Sequence, residues 1–312
     1  MTCRLRILVV CALACGALLR ADGFPREWLL NAHNCYPDRG RGAGRLKRAR
    51  KAGLSAIEID LAWSETRGRS VISHETELTG KEPTLQEYFL APLLPALRRM
   101  PSGQPGMLLF LDFKIDHPAL VKEIYDLLGR HGELLTTFGR GGGPPEFGPL
   151  TVMLTGDNVA IARFESLTGP DEPYRAMGNR EPPGGKFQED VNNYFPLPAT
   201  AFYRVFNFEW KHIERDPNFR AGAFTPAERA RLQALVKLAH RKGYWVRAWT
   251  LNATSNAWGS EQNFGSKEAL LERWRAALDC GVEMIATDEY ETAGAFLRPS
   301  VSARLRTRQS RR

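Results

Sequence analysis

Three carboxylates and one lysine occur in this sequence as two close pairs. Glu58 and Asp60 are two residues apart, and so are Asp112 and Lys114. On a β-strand, residues at this spacing point to the same face. Three buried carboxylates repel one another, and a divalent cation relieves the repulsion because carboxylate oxygens are its ordinary ligands. We therefore predict that Glu58, Asp60 and Asp112 hold one divalent cation, beside which Lys114 binds phosphate oxygens.

A pair of histidines completes this set of residues. His33 precedes the first acidic pair and His74 follows it. Cleavage of a phosphodiester needs one group that takes a proton from the nucleophile and another that gives a proton to the leaving oxygen. Imidazoles with pKa values near neutrality can do both. We predict that His33 and His74 are catalytic, one as general base or nucleophile and the other as general acid.

The elements that would position these residues follow from the apolar pattern. Strand-like apolar runs alternate with helical patterns, which indicates a parallel sheet. The predicted strands are 28–33, 55–61, 69–74, 107–113, 150–155, 203–208, 244–251 and 283–287. The clearest predicted helices are 44–52, 85–98, 119–130, 226–242 and 267–279. Eight such strands fit an α/β fold, a single-domain (β/α)8 TIM barrel, in which the site residues lie at the C-terminal strand ends where barrel enzymes work.

An open, doubly wound sheet is the alternative architecture, but residues 33–37 lack the glycine-rich turn that it needs after its first strand. The barrel is predicted to span residues 24–298 of the 312. Residues 168–199 are rich in proline, glycine and charge without a clear period, so we predict a loop insertion there that rises over the barrel mouth.

Both ends of the chain differ from the barrel. Residues 1–23 carry Arg4 and Arg6, then an apolar run and small residues, which is the order of a secretory signal peptide. We therefore expect a secreted or periplasmic protein. Lipoprotein attachment at Cys15 is a less favoured alternative, because Ala12 replaces the usual leucine. Residues 299–312 contain five arginines of a chain with net charge +8. This basic tail is interpreted as disordered, with contact to an anionic membrane or polyanion as the alternative.

The sequence contains no nucleic-acid-binding motif, and we expect a monomer that acts on a phosphodiester small molecule or lipid. Export would permit a disulfide. The barrel, however, places Cys35 and Cys280 at opposite ends of their strands, which is too far for a bridge.

The motifs around these residues, taken together, resemble the phospholipase-C-like phosphodiesterase superfamily, which includes glycerophosphodiester phosphodiesterases and the sphingomyelinase/phospholipase D toxins. The resemblance rests on Asn31-Ala32-His33-Asn34, Glu58-Ile59-Asp60, His74, Leu111-Asp112-Phe113-Lys114, Trp249-Thr250-Leu251-Asn252 and Ala286-Thr287-Asp288. The segments from Thr84 to Leu93 and from Thr155 to Asn158 are similar to the altered-inheritance-of-mitochondria type of that superfamily.

The resemblance implies a phosphodiesterase that cleaves a phospholipid or glycerophosphodiester with the two histidines and one Mg²⁺ or Ca²⁺. The residues that it implies for substrate binding are Lys114, Asn34, Trp249 and Asn252. Glycerophosphodiesterases usually have arginine and glutamate where this chain has Asn34 and Asp112, and both substitutions look more like the sphingomyelinase D side.

Two other classes of function remain open. A non-catalytic barrel that binds phospholipid or polyanion would suit the export signal and the basic tail. A glycoside hydrolase would use Glu58 and Glu209 as acid and base, but it would leave both histidines and Lys114 without a role.

Overall fold

The computed structural model describes Pro25 and residues 28–298, except 38–43, 76, 102, 196, 215–221 and 254–263. The predicted signal peptide at 1–23, with Cys15, and the predicted basic tail at 299–312 lie outside the described residues. Within the described residues, none of the helices combines the length and the apolar character needed to cross a bilayer.

Eight parallel strands form a closed barrel, which confirms the predicted TIM-barrel fold. In order around the barrel they are β1 (Leu30–Ala32), β2 (Ala56–Ser64), β4 (Met107–Phe113), β5 (Leu150–Gly156), β6 (Met177–Arg180), β7 (Tyr203–Glu209), β8 (Trp245–Trp249) and β9 (Met284–Thr287). The barrel closes because β1 pairs in parallel with both β9 and β2.

Helices follow most of these strands and cover the barrel. They are α1 (Gly44–Ala52), α2 (Ala91–Leu97), α3 (Pro118–Gly129), α4 (Asn158–Leu167), α5 (Pro226–Arg241), α6 (Lys267–Cys280) and α7 (Tyr290–Leu297). The start of α5 shows why the sequence forms a helix there. The Thr225 side chain accepts a hydrogen bond from the Glu228 backbone, and the Glu228 carboxylate accepts one from the Thr225 backbone, so two otherwise unpaired N–H groups are satisfied.

The third predicted strand is not a barrel strand, and that prediction was wrong. Instead, β3 (Arg69–Ile72) runs antiparallel to the far end of β2. β2 continues beyond the barrel, and residues 65–68 turn the chain back. The backbone N–H of Ser73 donates to the carbonyl of Asp60 at 3.2 Å, so the hairpin returns His74 to the barrel rim. An alternating apolar pattern does not distinguish a parallel strand from one arm of a hairpin.

The loop insertion predicted at 168–199 also needs correction, because it contains the barrel strand β6. The sequence of β6, Met-Gly-Asn-Arg, lacks the apolar run that marks the other strands. Gly178 is required there for packing, since a Cβ atom on it would lie 2.7 Å from the Phe202 ring and 3.0 Å from Ile161. Of this segment, the residues just after β6 line a cavity at the C-terminal end of the barrel: Glu181, Pro182, Pro183 and Gly185.

The two cysteines of the described barrel, Cys35 and Cys280, are free thiols, as predicted.

Candidate functional site

Three carboxylates converge at the C-terminal ends of β2 and β4. Asp60 and Asp112 are register partners on these strands, and Glu58 precedes Asp60 on the same face. One oxygen from each of the three lies within 4.8 Å of the others. Oxygens bound to one Mg²⁺ or Ca²⁺ at roughly 2.0–2.6 Å are separated by up to about 5 Å. This carboxylate triad therefore fits a single divalent cation.

Asp60 gives the clearest sign that the triad takes a cation. Its side chain is completely buried, and neither carboxylate oxygen has a hydrogen-bond partner among the described residues. Lys114 Nζ lies 3.5 Å from Asp60 Oδ1, which is an ion-pair distance without a hydrogen bond. Burial raises the pKa of the Asp60 carboxyl well above its usual range, although Lys114 lowers it. A buried charge without hydrogen bonds is costly, and a bound cation would satisfy it.

Glu58 is held by a buried arginine that the sequence analysis did not identify. Arg247 on β8 is 3% exposed, and its guanidinium donates to Glu58 Oε2. It also donates to Asn207 Oδ1 at 3.0 Å and to Asn31 Oδ1 at 3.1 Å. The sequence signal for this role was Arg247 itself, a single charged residue within the apolar strand β8. Arg247 thus fixes the orientation of Glu58 across the barrel.

Asp112 is held from two other sides. Lys114 Nζ lies 3.0 Å from Asp112 Oδ1, and the Thr155 hydroxyl donates to Oδ2 at 3.1 Å. Burial raises the pKa of Asp112, but Lys114 and Thr155 outweigh it, so the net shift is downwards. Gly156 follows at φ +87°, and a Cβ atom there would lie 2.7 Å from Asp112 Oδ1. The backbone of β5 can therefore approach Asp112 only because residue 156 is glycine.

His33 lies between two carboxylates immediately after β1. Its Nε2 is 3.3 Å from Glu58 Oε1 and its Nδ1 is 3.5 Å from Asp288 Oδ1. Burial lowers the pKa of His33, but Glu58 and Asp288 outweigh burial and raise it to about 9. The two carboxylates therefore favour the charged form of the His33 imidazole. Asp288 belongs to a motif that the sequence analysis quoted, but it was not predicted as a site residue.

Two residues predicted to bind substrate, Asn34 and Asn252, contact the pair formed by His33 and Asp288. Asn34 Nδ2 lies 2.8 Å from His33 Nδ1 and donates to Asp288 Oδ1 at 3.1 Å. Asn252 is completely buried; it donates to Asp288 Oδ2 at 3.0 Å and accepts from the Asp288 backbone at 2.7 Å. Asn34 and Asn252 therefore both hydrogen-bond to Asp288, and Asn34 also contacts His33.

We expect Asp288→Asn to move the basic limb of any His33-dependent activity to lower pH by roughly one pH unit, because an adjacent carboxylate favours the charged imidazole. The measurement is the ¹H NMR titration of His33 compared with the pH–rate profile. Glu291→Asn serves as the control, since Glu291 pairs with Arg48 on the exposed face of α7. An unchanged His33 titration in Asp288→Asn would show that Asp288 does not control its charge.

His74 has the opposite charge state. Its ring lies 5.6 Å from the Tyr36 ring, centroid to centroid. Burial lowers the pKa of His74 and the Lys114 ammonium lowers it further, to about 4. His74 is thus neutral at neutral pH. The pKa values of the two histidines are therefore shifted in opposite directions beside the same triad.

Lys114 completes the centre as a charged group. Burial lowers its pKa, but Asp112 and Asp60 outweigh burial, so the net shift is upwards. Its ammonium therefore remains charged beside the triad, as a phosphate ligand requires.

A cavity of about 270 Å³ adjoins this centre at the ends of β6, β7 and β8. Trp249 lines it together with Glu181, Asn207 and Glu209. Glu181 was not predicted; its Oε1 accepts from Asn207 Nδ2 at 3.0 Å, and Asn207 in turn binds Arg247. Glu209 pairs with Lys211. The cavity is thus connected to the triad through buried polar side chains.

Several solved structures are similar to this chain, whereas the sequence comparisons find no match. No protein-family model matches the sequence, and no curated protein matches it significantly. A glycerophosphodiester phosphodiesterase from Agrobacterium tumefaciens has a similar structure, with 12% identity, a TM-score of 0.48, and 86% of this chain and 97% of that chain covered. A Ca²⁺-dependent phosphatidylinositol-specific phospholipase C from Streptomyces antibioticus is 14% identical, with a TM-score of 0.49 and coverages of 87% and 96%.

A dihydropteroate synthase from Xanthomonas albilineans also matches, however, with 11% identity, a TM-score of 0.42, and coverages of 89% and 92%. Likenesses at this level are shared by barrels with different activities.

Proposed function

We propose that this protein is a phosphodiesterase that depends on one divalent cation. The observation that carries the proposal is the carboxylate triad with its buried Asp60, whose oxygens have no hydrogen-bond partner among the described residues. The carboxylates flanking His33 raise its pKa, whereas burial and Lys114 lower that of His74. The triad would hold Mg²⁺ or Ca²⁺, which would supply positive charge to offset that of the phosphate. Three carboxylates with oxygen donors suit such hard ions.

The roles of the side chains follow from their charge states. The Lys114 ammonium binds a non-bridging phosphate oxygen. Neutral His74 takes the proton of the attacking hydroxyl as the new P–O bond forms. His33, held by Asp288 and Glu58, gives its proton to the oxygen that leaves as the old P–O bond breaks. The attacking hydroxyl belongs either to water or to the substrate itself, in which case the product is a cyclic phosphate.

A phosphodiester carries two alcohol groups, one that is released on cleavage and one that stays on the phosphate. We propose that one of them occupies the cavity beside Trp249. Its walls combine an aromatic ring with carboxylate and amide groups, which suits a polar head group of a small molecule or lipid. The glycoside hydrolase alternative is less well supported. Glu58 is engaged by Arg247 and His33, Glu209 is engaged by Lys211, and the triad and Lys114 would have no task.

The pH dependence should be bell-shaped. The pKa of His74 is lowered to about 4, so its base function is lost as pH falls through that value. The pKa of His33 is raised to about 9, so its acid function is lost as pH rises through that value. A bound cation adds positive charge and should move both limbs to lower pH. The check is kcat/KM from pH 3 to 10 at saturating metal; a profile without a basic limb would contradict the assignment of His33 as the acid.

The proposed function is tested with a panel of phosphodiesters, phosphomonoesters and aryl glycosides, each with Mg²⁺ or Ca²⁺ and with EDTA, and products identified by mass spectrometry. We expect turnover of at least one diester that EDTA abolishes, with little turnover of monoesters or glycosides. Diester binding without turnover would instead favour the non-catalytic binding protein, and glycoside turnover that resists EDTA would favour the hydrolase alternative.

A further inference from the structure

A second cavity opens at the N-terminal end of the barrel, the end opposite the carboxylate triad. Its volume is about 400 Å³. Thr200 and Ala201, which precede β7, and Lys242, which precedes β8, form one side of it. The loop 140–143, which comes before β5, forms the other. The cavity therefore shares no residue with the proposed active site.

The charge of this cavity is entirely positive. Arg140, Arg204 and Lys242 line it, and none of the described residues that line it is acidic. We call this site the basic cavity. Elsewhere in the described barrel, arginines commonly have acidic partners: Arg163 pairs with Asp116, and Arg273 pairs with Glu214. The basic cavity instead concentrates three uncompensated cations in a concave surface, where the field on an entering anion is strongest.

The two arginines are held in place by backbone carbonyls rather than by carboxylates. Arg204 donates from Nε to the Ala201 carbonyl at 2.9 Å and from Nη1 to the Gly143 carbonyl at 3.0 Å. Arg140 donates from Nε to the Glu172 carbonyl at 2.9 Å and from Nη2 to the Thr168 carbonyl at 2.9 Å. Carbonyl partners fix a guanidinium without neutralising it, so both charges remain available.

The guanidinium groups of Arg140 and Arg204 also pack against aromatic rings. The Arg204 guanidinium lies 5.2 Å from the Phe138 ring centroid, and that of Arg140 lies 4.6 Å from the Tyr174 ring centroid. Phe138 and Tyr174 are themselves joined by a pair of backbone hydrogen bonds of 2.9 and 3.0 Å. Arg140 and Arg204 therefore pack against two rings whose backbones are hydrogen-bonded to each other. This packing restricts both side chains before binding, so they lose less conformational entropy when a ligand binds.

Arg204 is the better placed of the two to contact a ligand. Its described hydrogen bonds use two of the five N–H groups of a guanidinium. Burial also lowers the pKa of Arg204, and no carboxylate opposes this shift. The opposite wall is the run Gly141–Gly143, where an added Cβ atom would meet no atom within 4 Å. A bare backbone of this kind lets a ligand approach closely.

We propose that the basic cavity binds a phosphate-bearing anion, either free in solution or as the head group of an anionic lipid. Guanidinium and ammonium groups together favour phosphate, because it accepts several charge-assisted hydrogen bonds at once. The cavity volume suits a group of the size of pyrophosphate or a phosphorylated head group. This site is independent of the proposed phosphodiesterase centre.

The test uses metal-depleted full-length protein titrated with inorganic pyrophosphate in a calorimeter. We expect Arg204→Gln and Lys242→Gln each to weaken binding by about tenfold or more, since each removes one charge-assisted contact. Lys122→Gln is the matched control, because Lys122 pairs with Asp126 on the surface of α3. Lys114→Gln reports any pyrophosphate bound at the triad. Melting temperatures check that each variant folds. Lys242 is half-buried at the C-terminal end of α5, so we expect Lys242→Gln to remain folded.

Equal affinity of wild type, Arg204→Gln and Lys242→Gln would overturn the proposal, and so would the absence of pyrophosphate binding to the wild type. Co-sedimentation with phosphatidic acid vesicles, compared with neutral vesicles, separates the two sources of phosphate. Vesicle binding that Arg204→Gln reduces and Lys122→Gln preserves identifies a lipid head group. Pyrophosphate binding without such vesicle binding identifies a free phosphorylated ligand.

Discussion

Asp60→Asn should abolish diester cleavage while raising the melting temperature of the metal-free protein. The substitution keeps the size of the side chain and removes a buried charge that has no hydrogen-bond partner among the described residues. Relief of that charge should stabilise the metal-free fold by roughly 1–3 kcal/mol. The same change removes a ligand of the cation, whose contribution of several kcal/mol corresponds to a rate loss of about 10³-fold or more.

Thermal denaturation separates this result from simple unfolding. Thermal denaturation with and without Mg²⁺ or Ca²⁺ should show metal-dependent stabilisation in the wild type and none in Asp60→Asn. Asp126→Asn is the control, since Asp126 pairs with Lys122 on the surface, and it should behave as the wild type does. A metal-free Asp60→Asn protein less stable than the wild type, or one that is still stabilised by the cation, would contradict the role given to Asp60.

Replacement of either histidine should be almost as damaging. His33→Ala and His74→Ala are each expected to lower kcat by about 10²–10⁴, the usual contribution of a positioned acid or base. The losses in the double variant should be smaller than the product of the single losses, because both groups act in one turnover. His117→Ala is the control, since His117 stacks on Trp63 at 4.5 Å and has no proposed role.

Leaving-group dependence tells the two histidines apart. A p-nitrophenyl group leaves readily without a proton, so His33→Ala should lose much less activity on a p-nitrophenyl diester than on an alkyl diester. His74→Ala should be equally impaired on both. If His33→Ala were equally impaired on both substrates, His33 would not be the general acid. If both single variants kept wild-type kcat, the binding-protein alternative would be preferred.

The sequence was sufficient to predict the barrel and the triad because both rest on short-range patterns. Glu58 and Asp60 share a face by the two-residue period of a strand, and Asp112 follows on the next barrel strand. The repulsion among three carboxylates then predicts a cation without further knowledge of the fold. Buried strands with long apolar runs, such as β4 and β5, were placed well for the same reason.

Features that depend on distant parts of the chain could not be predicted in this way. The pairing of Arg247 with Glu58 joins residues 189 positions apart, and Asp288 reaches His33 from the last strand. The hydrogen bonds of Asn252 to Thr287 and Asp288 likewise join residues about 35 positions apart. β6 was missed because its four residues are recognisable as a strand only from their neighbours on both sides.

The measurement that tests the central claim most directly is ³¹P NMR of a phosphodiester incubated with metal-depleted protein, before and after addition of one equivalent of Mg²⁺ or Ca²⁺. A diester selected from the substrate panel serves as the reporter, with Asp60→Asn as a parallel sample. We predict that the diester signal persists until the cation is added, and is then replaced by that of a monoester or cyclic phosphate in the wild type alone. Cleavage at the same rate without added cation, or equal cleavage by Asp60→Asn, would contradict a metal-dependent phosphodiesterase centred on Glu58, Asp60 and Asp112.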